Sequence, residues 1–217
     1  MRQTRSLRSR SIAVALAMAV LAWPAVSDAQ LGGLLPLPPT TTTSTVVGQA
    51  SAARVSVLGI LGTATTTALA DTGTLSGVND TRDASMVTGS VPSTLSAETL
   101  SAATISWVDQ VDSEASLANL NMTVAGVGIT ADSVVAQASQ VLGAAGTGSS
   151  IFSNLSINGT PVAVTGAPNQ AIWIPGGQVI INEQTVSSTG TAVVNAIHVA
   201  VTGVADVVIA SATAGIS

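Results

Sequence analysis

The sequence predicts an all-β protein, and three observations lead to this fold class. From about Val46 onward, short runs of Val, Ile and Thr alternate with small polar residues, as in half-buried strands. Gly, Pro, Asn or Asp bound these runs at the spacing seen in sandwiches and barrels. Hydrophobic residues make up 47% of the chain and charged residues 8%, a composition opposite to that of disordered segments. We therefore expect one antiparallel β-sandwich-like domain over 46–217, with a β-solenoid as the alternative.

The first 29 residues have the three parts of a secretory signal peptide. Four arginines precede an apolar run over 12–23, and small residues at Ser27 and Ala29 fit a cleavage site after Ala29. The run is shorter than the ~20 residues that a membrane-spanning helix needs. We therefore expect a cleaved signal peptide over 1–29 rather than a retained anchor, and no stable membrane insertion after cleavage. The predicted location is secreted or extracellular, with surface association or the periplasm as further options.

Residues 30–45 form a Pro/Thr-rich, low-complexity segment. Its proline-rich half favours an extended, polyproline-like tether. A spacer, a site of O-glycosylation and a disordered start of the mature chain are the three interpretations that this composition allows.

Strand candidates then follow one another to the end of the chain. The acidic stretch 109–113 is predicted to be a turn, and Asn158-Gly159 between alternating apolar runs is the strongest hairpin signal. Residues 132–142 could also form a helix, because several of their apolar residues share one helical face. The predicted strands are 53–61, 99–107, 115–124, 128–137, 150–157, 160–164, 171–174, 178–183, 191–201 and 204–214.

Two segments of the chain echo each other. Residues 119–139 and 195–213 both run from an Asn through an alternating stretch to a Gly, then to Ala-Asp and a Val pair. The second copy is rich in Val and Ile at period two, which favours strand in both copies. We therefore predict two related hairpins, and strand rather than helix over 132–142.

Several motifs in a fixed order also carry a family resemblance. They are Ser116-Leu-Ala-Asn-Leu-Asn-Met, Ile129-Thr-Ala-Asp-Ser-Val, Ser153-Asn-Leu-Ser-Ile-Asn-Gly-Thr-Pro-Val-Ala-Val-Thr-Gly-Ala-Pro-Asn, Val179-Ile-Ile-Asn-Glu-Gln, Val194-Asn-Ala-Ile-His-Val and Ala205-Asp-Val-Val-Ile-Ala-Ser-Ala-Thr-Ala-Gly-Ile. Read in this order, the chain resembles the choice-of-anchor P family. The resemblance implies a domain of unknown molecular function on exported bacterial proteins that carry differing C-terminal sorting anchors. Because Ile216-Ser217 shows no such anchor, we expect free secretion.

Charge and cysteine content exclude several classes of function. After the predicted cleavage, two arginines stand against ten carboxylates, a formal charge of −8 with His198 neutral. Such a chain cannot present a basic groove, so we expect no nucleic-acid partner and no binding to acidic lipids. Without cysteine there is neither a disulfide framework nor a thiolate metal site.

His198 is the only imidazole and the main candidate for a general base. On a strand over 191–201 it would share a face with Ala196 and Ala200. A hydrolase also needs a placed nucleophile and an orienting acid, and no Gly-x-Ser-x-Gly motif occurs. We therefore interpret His198 as a structural or surface residue.

The acidic residues suggest two kinds of site that we do not favour. Asp109, Asp112 and Glu114, or Asn79-Asp80 with Asp83, could gather calcium ligands, but neither group has a known calcium-loop spacing. We interpret both groups as solvated turns. Asp132 and Asp206 are predicted to satisfy backbone amides at strand starts rather than to form a paired-carboxylate glycosidase site.

The remaining candidates are aromatic and threonine side chains. Trp173 is expected to fill the core, because large side chains are scarce, although a ligand-stacking role beside the Pro175 loop is an alternative. Trp107 is the other tryptophan of the predicted mature chain. The Thr clusters lack the strict repeat of an ice-binding solenoid. They are Thr63, Thr65, Thr66 and Thr67, with Thr72 and Thr74.

The sequence thus assigns no catalytic, cofactor-binding or metal-binding residue, no cofactor and no enzymatic activity. We expect an exported bacterial protein with a structural or adhesive role, an unknown extracellular or envelope partner, and self-association as one option. A carbohydrate- or small-ligand-binding module is the alternative function, and a hydrolase without recognisable motifs is a weaker one.

Overall fold

The structure is a computed structural model that describes residues 44–58 and 63–217. The predicted signal peptide and nearly all of the predicted tether lie outside these residues. Within them the chain forms strands and turns only. The strands are β1 (Val46–Leu58), β2 (Ala64–Asp71), β3 (Thr81–Val91), β4 (Leu95–Ser106), β5 (Gln110–Val124), β6 (Val127–Val141), β7 (Thr147–Ser153), β8 (Ser156–Ile157), β9 (Thr160–Pro161), β10 (Gln170–Ile174), β11 (Gly177–Val186), β12 (Ala192–Val201) and β13 (Ala205–Ile216).

The strands form two antiparallel sheets that pack face to face, so the predicted sandwich-like fold is confirmed and the solenoid is wrong. We call the sheet with the order β10-β11-β12-β13-β1-β2 sheet A. Sheet B has the order β3-β4-β5-β6-β8-β9, and β7 also pairs with β6. In the core β13 packs on β5 and β6, and β1 packs on β4 and β5.

The core is built from alternating inward residues of both sheets. It consists of Ala, Val, Ile and Leu with one methionine, Met122, and no aromatic side chain is fully buried among the described residues. β5 illustrates the pattern, since Val111, Ala115 and Leu117 point inward between exposed or half-buried neighbours. This period of two is what makes the sequence read as strand.

Two buried polar side chains join the sheets through the core. Ser113 of sheet B donates to the Thr213 carbonyl of sheet A at 2.6 Å, and its hydroxyl lies 2.7 Å from Thr104 Oγ1. Because Ser113 has only one proton, Thr104 is the donor in the second bond. Gln140 of sheet B accepts from the Ile216 amide at 2.9 Å. Because both side chains are buried away from water, these hydrogen bonds are what satisfies their polar groups.

Both echoed segments are hairpins, as predicted. Residues 119–139 lie in β5 and β6 at the centre of sheet B, and residues 195–213 lie in β12 and β13 of sheet A. The two hairpins pack against each other across the core. Residues 132–142 continue β6 for most of their length, so the helical alternative is wrong.

The predicted Asn158-Gly159 hairpin is also confirmed, although its strands β8 and β9 are only two residues long. Both turn residues have positive φ, 49° and 74°, which fits the type I′ turn that Asn-Gly favours. Asn158 Oδ1 accepts from the Gly128 amide at 2.8 Å, which ties the hairpin to β6.

Several predicted boundaries were wrong. The turn after β4 spans only 107–109, so Asp112 lies within β5. The predicted strand 150–157 breaks between β7 and β8 at Asn154, where φ is 52°. β2 and β3 were not predicted at all, because their residues show little alternation of large apolar side chains.

Candidate functional site

The outer face of sheet A carries a transverse groove that the alternating pattern alone does not predict. Five strands each turn two consecutive residues into the core at the same level of the sheet. One residue of each pair lies in a row across the sheet, and we call this row the crease. It consists of Ala70, Ala52, Ala210, Ala196 and Asn182; each lies between two residues that are paired across the sheet, and all five are buried.

The backbone at the crease explains how the strands change face. Ala70, Ala210 and Asn182 have left-handed φ values of 46°, 50° and 53°, and they sit on every second strand of the row. Left-handed backbone is strained for alanine, and such strain is often found at functional positions. Asn182 is satisfied inside the fold, since its amide donates to the Gly166 carbonyl and accepts from Gln184.

Because two residues per strand point inward, the outward side chains stand in two separated rows on either side of the crease. The first row, which we call the polar row, is Glu183, Asn195, Ser211, Ser51 and Asp71. The second, the mixed row, is Ile180, His198, Val208, Arg54 and Ala68. A groove of about 220 Å³ on β12, β13 and β1 runs along the polar row: Arg54 and Val208 of the mixed row line one side of it, and Gln49, Val193 and Thr213 line the other.

Two ion pairs cross the crease, one at each side of the groove. Glu183 Oε1 lies 2.9 Å from His198 Nδ1, and Arg54 Nη2 donates to Asp71 Oδ2 at 3.1 Å. Burial by itself raises the pKa of the Asp71 carboxyl, but hydrogen bonds from Gly73, Gln49 and Arg54 outweigh it and lower that pKa. The two pairs therefore hold the rows together and neutralise most of the local charge.

His198 is held on both ring nitrogens, because its Nε2 also lies 2.9 Å from Asp206 Oδ2. An imidazole can donate from both nitrogens only when it is protonated. Burial tends to lower the pKa of His198, but the bonds to Asp206 and Glu183 outweigh it and raise the pKa above 6.5. The geometry therefore favours a charged imidazolium that has no free nitrogen to act as a base.

The polar network extends from His198 along the polar row. Asn195 Nδ2 donates to Glu183 Oε2 at 2.6 Å, and Ser211 donates to Asn195 Oδ1 at 2.7 Å. Ser211 is thus separated from His198 by two other side chains, which is not the arrangement of a nucleophile and its base. The predicted face of His198 was wrong in one respect. Ala196 turns inward at the crease, so the outward neighbour on β12 is Asn195.

The other predicted site residues do not come together. Asp80 accepts from the Ser76 amide and hydroxyl and from Arg82 Nε; the Ser76 bonds are the main cause that lowers the pKa of Asp80 to about 2. Asp132 accepts from the Asn154 side chain at 2.6 Å, so the backbone role expected for it and for Asp206 was wrong. Within 44–58 and 63–217, no three His, Asp or Glu side chains form a metal-binding group.

The expected position of Trp173 was also wrong. Its side chain is 81% exposed on β10, which forms one edge of sheet A, and Trp107 is 40% exposed in the turn between β4 and β5. β10 pairs with β11 on one side, and no other strand among the described residues pairs with its second side. The alternative of an exposed tryptophan next to a loop therefore fits the structure.

Comparisons with known proteins add nothing to this description. No protein-family model, no curated protein and no solved structure matches the chain. In the part of the chain that the structure covers, no helix is long and apolar enough to cross a membrane.

Proposed function

We propose that this chain is an exported, non-enzymatic bacterial protein of the cell envelope or extracellular space, with an adhesive or structural role. The secretory leader over 1–29 and the resemblance to the choice-of-anchor P family support the location. The observation that carries the role is the edge of sheet A, where β10 has no strand on its second side among the described residues and presents an exposed tryptophan.

An open strand edge can add a strand from a partner, and its side chains then select the partner. On β10 the half-buried Ile172 and Ile174 flank Trp173, which is among the most exposed large apolar side chains of the described chain. Tryptophan is enriched at interaction surfaces because its large ring contributes contact area at a small entropic cost. The edge of β10 is therefore the surface where we expect a partner or a second copy to bind.

The environment of His198 supports the non-enzymatic part of the proposal. A general base must offer a free nitrogen to the proton that it removes. Both ring nitrogens lie 2.9 Å from carboxylate oxygens. In this proposal His198 therefore stabilises the surface of sheet A through its two carboxylate partners.

Two measurements test the proposal. Fractionation of producing cells should find the protein outside the cytoplasm, with an N-terminus at Gln30 after cleavage. Binding of the purified protein to envelope and matrix material should fall in Trp173→Ala and stay unchanged in Trp107→Ala, which removes the tryptophan of the turn between β4 and β5. A cytoplasmic protein, or equal binding by both variants, would contradict the proposal.

A further inference from the structure

We propose that the groove along the polar row binds a neutral, polyhydroxylated ligand of about the size of one sugar unit. This inference goes beyond the adhesive role, since it concerns β1, β12 and β13 rather than the edge strand β10. It rests on the unused hydrogen-bonding groups, the charge balance and the dimensions of the groove.

The groove contains polar groups that the described residues leave free to bind a ligand. Ser51 is 2% exposed and lines the groove, yet its hydroxyl has no hydrogen-bond partner within the described chain. Arg54 also lines the groove and uses one of its five N–H groups, in the bond to Asp71. The Ser51 hydroxyl and the remaining Arg54 N–H groups can therefore bond to a ligand in the groove without breaking a bond that the described chain makes.

The charges at the groove favour a neutral ligand over an anion. The positive charge of Arg54 is matched by Asp71, and that of His198 by Glu183 and Asp206. An anion would therefore meet no unmatched cation among the described residues, and the whole chain carries a net charge of −5. Hydroxyl groups of a sugar can both donate and accept, which suits a lining of guanidinium, amide and hydroxyl groups.

The volume of the groove and the apolar residues in its lining further restrict the class of ligand. A volume of about 220 Å³ is smaller than the roughly 300–1,000 Å³ of sites for drug-sized ligands, so the occupant is small. Val193 and Val208 line the same groove and offer an apolar surface to the C–H groups of a ring. Polar groups on several strands with an apolar patch between them are the usual features of a small-ligand site.

A titration followed by nuclear magnetic resonance tests this proposal on the isotope-labelled full chain. The probes are methyl glucoside, methyl galactoside and N-acetylglucosamine, with sodium acetate and sodium phosphate as anion probes. We expect saturable shifts of the Ser51, Asn195 and Ser211 amides with one of the sugars, at a Kd on the order of 1 mM. The anion probes should leave these signals in place.

A pair of variants identifies the site. Ser51→Val puts two methyl groups into the groove while keeping a residue suited to a strand. It should weaken sugar binding at least about tenfold. Ser116→Val, on the outer face of sheet B, is the matched control and should bind like the wild type.

Three outcomes would overturn the proposal. They are the absence of saturable sugar shifts up to about 10 mM, shifts caused by acetate or phosphate instead, and unchanged sugar binding by a folded Ser51→Val. If Ser51→Val does not fold, the titration of the wild type decides. Each of these outcomes leaves the adhesive role open, because Trp173→Ala tests that role separately.

Discussion

Replacement of Ala210 by glycine tests the left-handed backbone conformation that forms the crease. Ala210 and Ala212 lie two residues apart in β13, and both are 0% exposed. Ala210 has a φ of 50°, whereas Ala212 is not among the residues with positive φ. The same substitution therefore removes the same buried methyl group from two backbone conformations.

The effects of the two substitutions on the free energy of unfolding should differ by the strain energy of the left-handed backbone at Ala210. Loss of a buried methyl group costs about 0.8 kcal/mol, and glycine in a strand costs roughly 0.5–1 kcal/mol more through the unfolded chain. Ala212→Gly should therefore lower the free energy of unfolding by about 1.5 kcal/mol. In Ala210→Gly the relief of a left-handed alanine, about 1–2 kcal/mol, offsets that loss, and we expect a stability within about 0.5 kcal/mol of the wild type.

Denaturant unfolding followed by circular dichroism measures both variants, provided that the transition is two-state. Ala210→Val adds a third point, because a β-branched residue at positive φ in a filled core should cost at least about 3 kcal/mol. If Ala210→Gly is as destabilising as Ala212→Gly, the left-handed backbone is absent and the explanation of the groove fails with it.

Three further predictions concern other parts of the molecule. The raised pKa of His198 means that its stabilising charge is fully present below its unfolded pKa of about 6.5 and is lost as pH rises through the folded pKa. The unfolding midpoint of the wild type should therefore fall as pH rises from about 6.5, and His198→Gln should remove that part of the slope. Gln140→Leu should cost about 2–4 kcal/mol in chemical denaturation, because the buried Ile216 amide and two carbonyls lose their partner; the exposed Gln137→Leu should cost little. Gly159→Ala should cost about 1 kcal/mol in thermal unfolding, since φ is 74° there; an unchanged Tm would rule out the type I′ turn.

The strands that could be predicted from the sequence are those with large branched residues at period two, as in β12 and β13. β3 was missed because it lies at the edge of sheet B and exposes residues on both faces, so its sequence has no clear alternation. Trp173 was misplaced for a related reason. The size of a side chain favours burial, but only the order of the strands reveals that β10 is an edge.

The groove could not be predicted because it depends on register. Its sequence signal is a buried doublet in each strand, such as Ala52-Ala53 or Ile209-Ala210. A single pair of consecutive apolar residues does not stand out in a chain this rich in Ala, Val and Ile. The doublets form a row only when pairing places Ala53 opposite Ile209, and that alignment joins distant parts of the chain.

The pairing of β1 with β13 also decides when the molecule can fold. Sheet A joins residues near one end of the described chain to residues near its other end, from Val46 opposite Ile216 to Val57 opposite Ala205. β1 can pair with β2 early, but its other side stays open until β13 has been synthesised. Pairings this distant along the chain form slowly. A chain emerging from the ribosome therefore keeps this side of β1 unpaired until β13 arrives, and sheet A closes only then.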